Sequence, residues 1–157
     1  MTQSFATNPR QAAMTEAREL LTQAVNTAME KGLLPAAELP EFIVEVPADV
    51  KNGDIASNLA LAGARAFKTA PRKIAEAIVE CLPTLEGSLF QRVEIAGPGF
   101  INLFLSDVYF ADIVRAAASR DDFGRTDFGQ GKKINVEFVS ANPTGPMHLG
   151  NARGGAL

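Results

Sequence analysis

The sequence predicts an α+β domain in which helices pack on a small antiparallel sheet, with a separate strand-to-helix step beginning at Lys132. Three observations lead there. Apolar residues recur at helical spacing from Ala13 to Ala28. Two β-rich runs flank the tight turn Gly97-Pro98-Gly99. After a polar connector, apolar-polar alternation resumes at Lys132 and runs into a glycine-rich loop. The chain has 157 residues, 46% of them apolar and 21% charged, which suffices for a buried core and argues against disorder. The organisation read from these patterns is a domain over residues 1–120, a connector over 121–131 and the start of a second unit over 132–157.

Each element follows from local chemistry. Asn8-Pro9 is a helix start, a capping amide followed by proline in the first turn. Ala13, Met14, Ala17, Leu20, Leu21, Ala24, Val25 and Ala28 form one helical face, and Gly32 closes the helix. Residues 33–40 read as a linker, and 42–46 as a strand closed by Pro47. Asn52-Gly53-Asp54 reads as a turn whose aspartate caps a helix running from Ser57 to Phe67. Pro71 opens a helix reaching Leu82. Residues 92–96 and 100–105 read as paired strands, and Ser106 as the cap of a helix carrying Val108, Ile113, Val114 and Ala117. From Lys132, the residues Ile134, Val136 and Phe138 alternate with Asn135 and Glu137, the pattern of a strand. A strand-loop-helix step of this kind belongs to a parallel sheet, which needs further strands, so 132–157 reads as a truncated first βα step.

Composition narrows the function. A net charge of −3 gives no broad electrostatic footprint for nucleic acid, so any such contact is local. The single cysteine, Cys81, lies in an apolar helical setting and reads as a small buried hydrophobe. With one cysteine and one histidine there is no zinc constellation, and no metal site is assigned. The first residues lack a signal-peptide pattern and no apolar run reaches membrane-spanning length, so the expectation is a cytoplasmic protein with no membrane partner. No obligate protein partner is evident.

The chemistry concentrates in Val139–Gly155, "VSANPTGPMHLGNARGG". Ligands of open α/β sheets gather beyond the carboxyl ends of strands, where loops meet helix N-termini. Glu137 lies near such an end and Asn142 lies in the loop. His148, Gly150 and Asn151 fall where a helix begins, so free N–H groups and an imidazole face any bound phosphate. Gly150 allows close approach of a flat base. Taken singly, His148 reads by default as a surface or packed histidine and Glu137 as a solvated strand residue rather than a ligand, while Asn142 before Pro143 also suits a turn.

The longer string "VEFVSANPTGPMHLGNARGG" resembles arginyl-tRNA synthetases, members of class I, whose His-x-Gly-His motif follows the first strand of a Rossmann-like catalytic fold. "GDIASNLAL" and "AGPGFINLFLS" resemble the N-terminal additional domain of the bacterial enzymes, so the likeness spans nearly the whole chain. It implies ATP binding by His148, Gly150 and Asn151, with His148 and Asn151 in catalytic positions and Asn151 standing where histidine is more usual. It implies arginine binding by Glu137, Ser140 and Asn142, with the carboxylate of Glu137 apt for a guanidinium. It also implies that Phe100 and Asn102 read a base of the tRNA D-loop. Their spacing is compatible, because residues two apart in a strand share a face, and an aromatic beside an amide suits a splayed base.

The implied protein is an arginine–tRNA ligase with partners tRNA(Arg), arginine and ATP, the ATP arriving with Mg2+. This chain would supply its N-terminal part, inactive alone and without a tightly bound cofactor. The alternative is a freestanding, non-catalytic RNA-binding module. A cofactor adenylyltransferase ranks lower, because those proteins carry the histidine-glycine motif near their start. The basic run Arg65, Lys68, Arg72, Lys73 is followed by Glu76 and Glu80 and reads as a solvated helix face.

Overall fold

The structure, a computed structural model, describes residues 8–137, 139–140 and 145–156. The chain divides into two compact units with the boundary between Arg125 and Thr126.

In the first unit, α1 (Pro9–Glu30) starts as its sequence dictates. The Asn8 side chain accepts a hydrogen bond from the Gln11 N–H at 3.0 Å, and Pro9 occupies the first turn. Ala13, Ala17, Leu21, Ala24, Val25 and Ala28 form its buried face, and Gly32 follows its end with positive φ. Four strands then form one antiparallel sheet in the order β1-β2-β4-β3: β1 (Val44–Glu45), β2 (Ile55–Ser57), β3 (Phe90–Ala96) and β4 (Phe100–Leu105). Between them run α2 (Leu59–Phe67) and α3 (Pro71–Glu80), and α4 (Asp107–Ser119) follows β4. The α+β architecture is the one expected.

Strand alternation splits the sheet into two faces. Val44, Ile55, Ile101 and Leu103 join Phe67, Ile74 and Ile78 in the core, where α1, α2 and α3 pack on the sheet. Fully buried side chains such as Ile101 and Leu103 each stabilise the fold by about 1.5–3 kcal/mol. The opposite face, carrying Glu45, Ala56, Glu94, Ala96, Phe100 and Asn102, is the one on which the candidate site lies. Cys81 is buried in the core, as its setting indicated.

Several local expectations are corrected. The strand expected over 42–46 pairs only at Val44–Glu45, because side chains take the neighbouring backbone groups. The Ile43 N–H donates to Asn58 Oδ1 at 2.8 Å, the Ser57 hydroxyl donates to the Ile43 carbonyl at 3.0 Å, and Arg18 donates to the Phe42 carbonyl at 3.0 Å. Asp54 caps no helix. Its carboxylate accepts from the Leu105 N–H at 2.9 Å and its own N–H donates to the Leu103 carbonyl at 3.0 Å, so the turn serves β4. Residues 55–57 are strand, and the helix begins at Leu59.

Ser106 occupies the cap position of α4, but its buried hydroxyl has no partner among the described residues. That helix turns Tyr109, Ile113 and Ala116 inward and leaves Val108 and Val114 exposed, because only the 109-113-116 spacing keeps one stripe against the core.

In the second unit, turns at 128–131 lead into residues 132–137, which carry no strand. A strand needs a partner edge, and the described residues of this unit offer none. Ile134 and Val136 are exposed. Phe138 lies outside the described residues. The helix expected after His148 is present as α5 (Leu149–Ala156).

Candidate nucleic-acid interface

β4 is an inner strand, paired with β2 on one side and β3 on the other, so its side chains have fixed directions. Opposite Phe100 on β3 is Ala96, and opposite Asn102 on β2 is Ala56. These methyl groups leave room beside the ring and the amide. The result is a concave pocket of about 350 Å³ lined by Phe100, Asn102, Ala56, Ala96, Glu45 and Asn52, with Pro47, Ala48 and Gly97 completing its rim. That volume lies at the small end of the range for ligand sites.

The two residues singled out from the sequence differ in exposure. Phe100 is 39% exposed, a ring open to stacking. Asn102 is only 4% exposed, yet its side chain has no hydrogen-bond partner among the described residues. The amide is not sealed from solvent, since among the described residues only the Ser106 hydroxyl is a buried side-chain atom without a partner, so Asn102 opens onto the pocket with its hydrogen-bonding capacity unused.

The turns around the pocket are clamped. Gly53 has a φ of +84°, and a Cβ there would lie 2.9 Å from the Leu103 carbonyl oxygen, so the loop before β2 runs directly against the backbone beside Asn102. Gly99 has a φ of +143°, and the hairpin it closes abuts Pro71 at the start of α3. Arg72 donates to the Gly97 carbonyl at 3.1 Å while pairing with Glu76 at 3.4 Å, which gives the basic run a structural role on a solvated face. Further along the same face, Arg92 stacks over the Phe104 ring at 3.6 Å and pairs with Glu94.

In the second unit, His148, Gly150 and Asn151 come together at the start of α5. The Gly150 N–H donates to His148 Nδ1 at 3.1 Å, and the His148 N–H donates to Asn151 Oδ1 at 3.2 Å. This reciprocal pair is a capping box built from histidine and asparagine. With Nδ1 accepting, the imidazole proton is assigned to Nε2. A Cβ on Gly150 would lie 3.0 Å from His148 Cε1, so glycine here makes room for the histidine ring itself. Glu137 and Ser140 are exposed and make no side-chain bond to this turn among the described residues. Asn142 lies outside the described residues. Among the described residues, no group of three or more His, Cys, Asp or Glu side chains is placed to hold a metal. No described helix is long and apolar enough to cross a membrane.

The sequence reading missed Glu45, Asn52, Ala56 and Ala96 as pocket walls. Glu45 faces away from Val44 on β1, and Ala56 is placed only by β2, which the sequence reading took for the approach to a helix.

The first unit is thus an open-faced α+β domain, with helices on one side of an antiparallel sheet and a pocket on the other. The sequence profile of the arginyl tRNA synthetase N terminal domain matches residues 15–105. The chain belongs to that family. The arginine–tRNA ligase of Caldanaerobacter subterraneus is 47% identical over 148 residues, covering 94% of this chain and 26% of the relative. That of Acetivibrio thermocellus is 40% identical over 96% of this chain and 27% of the relative. One from Listeria monocytogenes is 51% identical over 79% of this chain and 22% of its own length. The chain therefore spans about a quarter of the length of the curated relatives it matches. The crystal structure of arginyl-tRNA synthetase from Plasmodium falciparum overlaps at a TM-score of 0.47 with 20% identity, over 63% of this chain and 17% of that one.

Proposed function

We propose that this chain is the N-terminal part of an arginine–tRNA ligase, and that its first unit holds tRNA(Arg) by reading one D-loop base between Phe100 and Asn102. The observation that carries the reading is the Asn102 amide, which opens onto the pocket with no hydrogen-bond partner among the described residues, beside an exposed aromatic ring. An amide both donates and accepts, so it can read the edge of a base that stacks on the ring. Reading one base needs no basic field, which fits the net charge of −3.

The intact enzyme would activate arginine and transfer it. The arginine carboxylate attacks the ATP α-phosphate and expels pyrophosphate, and the terminal ribose hydroxyl of the tRNA then attacks the aminoacyl carbonyl and expels AMP. Catalysis would rest on in-line positioning and stabilisation of developing charge. His148, Gly150 and Asn151 are assigned to ATP. The capping bond supports this role for His148, because it leaves the Nε2–H as a donor for a phosphate oxygen. Asn151 gives its oxygen to the cap and keeps its N–H groups as donors. Glu137, Ser140 and Asn142 are assigned to arginine. Mg2+ is assigned to the ATP phosphates. The second unit by itself carries half a nucleotide site, so the chain alone is expected to be inactive. Residues 1–120 form the tRNA-binding domain in this reading, 121–131 the connector and 132–157 the start of the catalytic domain.

A freestanding RNA-binding module would use the same Phe100/Asn102 face. It is disfavoured because the 148 matched residues of a ligase cannot fit within the first unit and must include the second. The test is equilibrium binding of the chain to a tRNA(Arg) transcript. Stacking on an aromatic side chain is worth about 1–3 kcal/mol per base, so Phe100→Ala is expected to weaken binding by roughly ten-fold. Asn102→Ala should weaken it as well. Unchanged binding by Phe100→Ala would reject the reading.

A further inference from the structure

Besides Asn102, the pocket has a charged wall that the reading above leaves unused. Glu45 lies on β1, and its ladder partner on β2 is Ala56, whose own partner on β4 is Asn102. The row Glu45-Ala56-Asn102 therefore crosses the pocket floor, with a carboxylate on one side, a methyl group between and an amide on the other. Strands are spaced about 4.8 Å apart, so the two polar residues stand roughly 10 Å apart along this row. Among the described residues the Glu45 side chain makes no ion pair or hydrogen bond. The arginine on this face is engaged elsewhere, since Arg92 pairs with Glu94 and stacks on Phe104.

An unneutralised carboxylate beside a nucleic-acid site repels phosphate and meets carbonyl oxygens poorly. It is satisfied by N–H donors. Among bases, adenine, cytosine and guanine carry an exocyclic amino group on their pairing edge. Uracil presents carbonyl oxygens on both sides of a single N–H. We propose that Glu45 is a specificity-determining residue of the pocket, selecting amino-bearing bases over uracil by accepting a hydrogen bond from the amino group. Asn102 cannot make this choice alone, because its amide can turn to present either oxygen or N–H. Glu45 can only accept. It also keeps phosphate out, so the pocket takes a base and not the backbone.

This inference rests on the reading that the pocket takes a D-loop base, and the experiment separates the two. Four tRNA(Arg) transcripts would carry A, C, G or U at the D-loop position whose chemical protection depends on Phe100. Binding would be measured for the wild-type chain, Glu45→Gln and Phe100→Ala. A good side-chain-to-base hydrogen bond discriminates by about 1–3 kcal/mol, so the wild type should bind the U transcript about ten-fold or more weakly than the other three. Glu45→Gln keeps the size of an exposed side chain but can donate, and should shrink that gap to about two-fold or less, mainly by improving binding of U. Phe100→Ala should weaken binding of A, C and G alike. If Phe100→Ala has its effect but Glu45→Gln retains the full gap, Glu45 does not select the base, and the base-reading function stands without it. If Phe100→Ala changes nothing on any transcript, both fall. An equal urea midpoint for wild type and Glu45→Gln would show that the change in preference is not a folding defect.

Discussion

Replacing Gly99 by alanine forces a methyl group into the start of α3 at the same point where the backbone takes a conformation reserved for glycine. The added Cβ would lie 2.9 Å from the Pro71 carbonyl carbon, 3.0 Å from its carbonyl oxygen and 3.0 Å from its Cβ, at a φ of +143°. Two of those atoms are backbone of a helix whose Ile74 and Ile78 are fully buried, so they cannot yield without disturbing the core. Backbone strain in such a region costs roughly 1–3 kcal/mol. Overpacking costs roughly 1–3 kcal/mol. A single movement relieves part of both, so the expected loss is about 2–4 kcal/mol.

Gly97 in the same turn provides the control. Its φ is +52°, and nothing lies within 4 Å of an added Cβ, so Gly97→Ala carries only the left-handed penalty of about 1–2 kcal/mol. In urea unfolding, at slopes of about 1–3 kcal/mol per molar, Gly99→Ala should lower the midpoint by about 1 M or more, roughly twice the shift of Gly97→Ala. Equal shifts would show that the contact with Pro71 contributes nothing and would refute the argument that α3 clamps the hairpin beneath Phe100.

Two further predictions concern a half-buried carboxylate and a buried phenol. Glu16 Oε1 accepts from the Ser88 hydroxyl at 2.6 Å and the Leu89 N–H at 2.7 Å, so Glu16→Ala leaves two donors unmatched and should cost about 1–3 kcal/mol in the same urea assay, whereas a neutral result would mean water replaces the carboxylate freely. Tyr109 is the chain's single tyrosine, and burial pushes its phenol above the ordinary value, with Arg10 opposing and Asp54 adding. The folded state thus holds the proton longer than the unfolded state. Its contribution to stability is complete below the unfolded value near 10 and is lost as pH rises through the raised folded value. Absorbance titration of the native chain should place the midpoint above that of free tyrosine, and coincidence with it would contradict the burial.

How much of this was legible in the sequence depended on whether local or long-range groups decided each element. Helix α1 was fully legible, since Asn8, Pro9 and the apolar spacing act within a few residues of one another. The β3–β4 hairpin was legible because Gly97-Pro98-Gly99 encodes its turn locally. β2 was not, because Ile55-Ala56-Ser57 is a strand only through its pairing with Leu103, Asn102 and Ile101, nearly fifty positions away. Asp54 was misread for the same reason: its hydrogen-bond partner is the Leu105 N–H. In the candidate site, the side of β4 shared by Phe100 and Asn102 followed from strand periodicity. The pocket around them did not, since Glu45 and Ala56 arrive from other strands. The cap formed by His148 and Asn151 is local in sequence, but histidine and asparagine are unusual in those roles, and the motif suggested a ligand before it suggested a helix start.

Chemical probing of tRNA(Arg) base accessibility, with and without the chain, tests the central claim most directly. The account predicts that the wild-type chain protects one unpaired D-loop base, and that Phe100→Ala and Asn102→Ala each abolish that protection while retaining the wild-type urea midpoint. Protection spread along the phosphate backbone with no D-loop base affected, or D-loop protection that survives both substitutions, would contradict it.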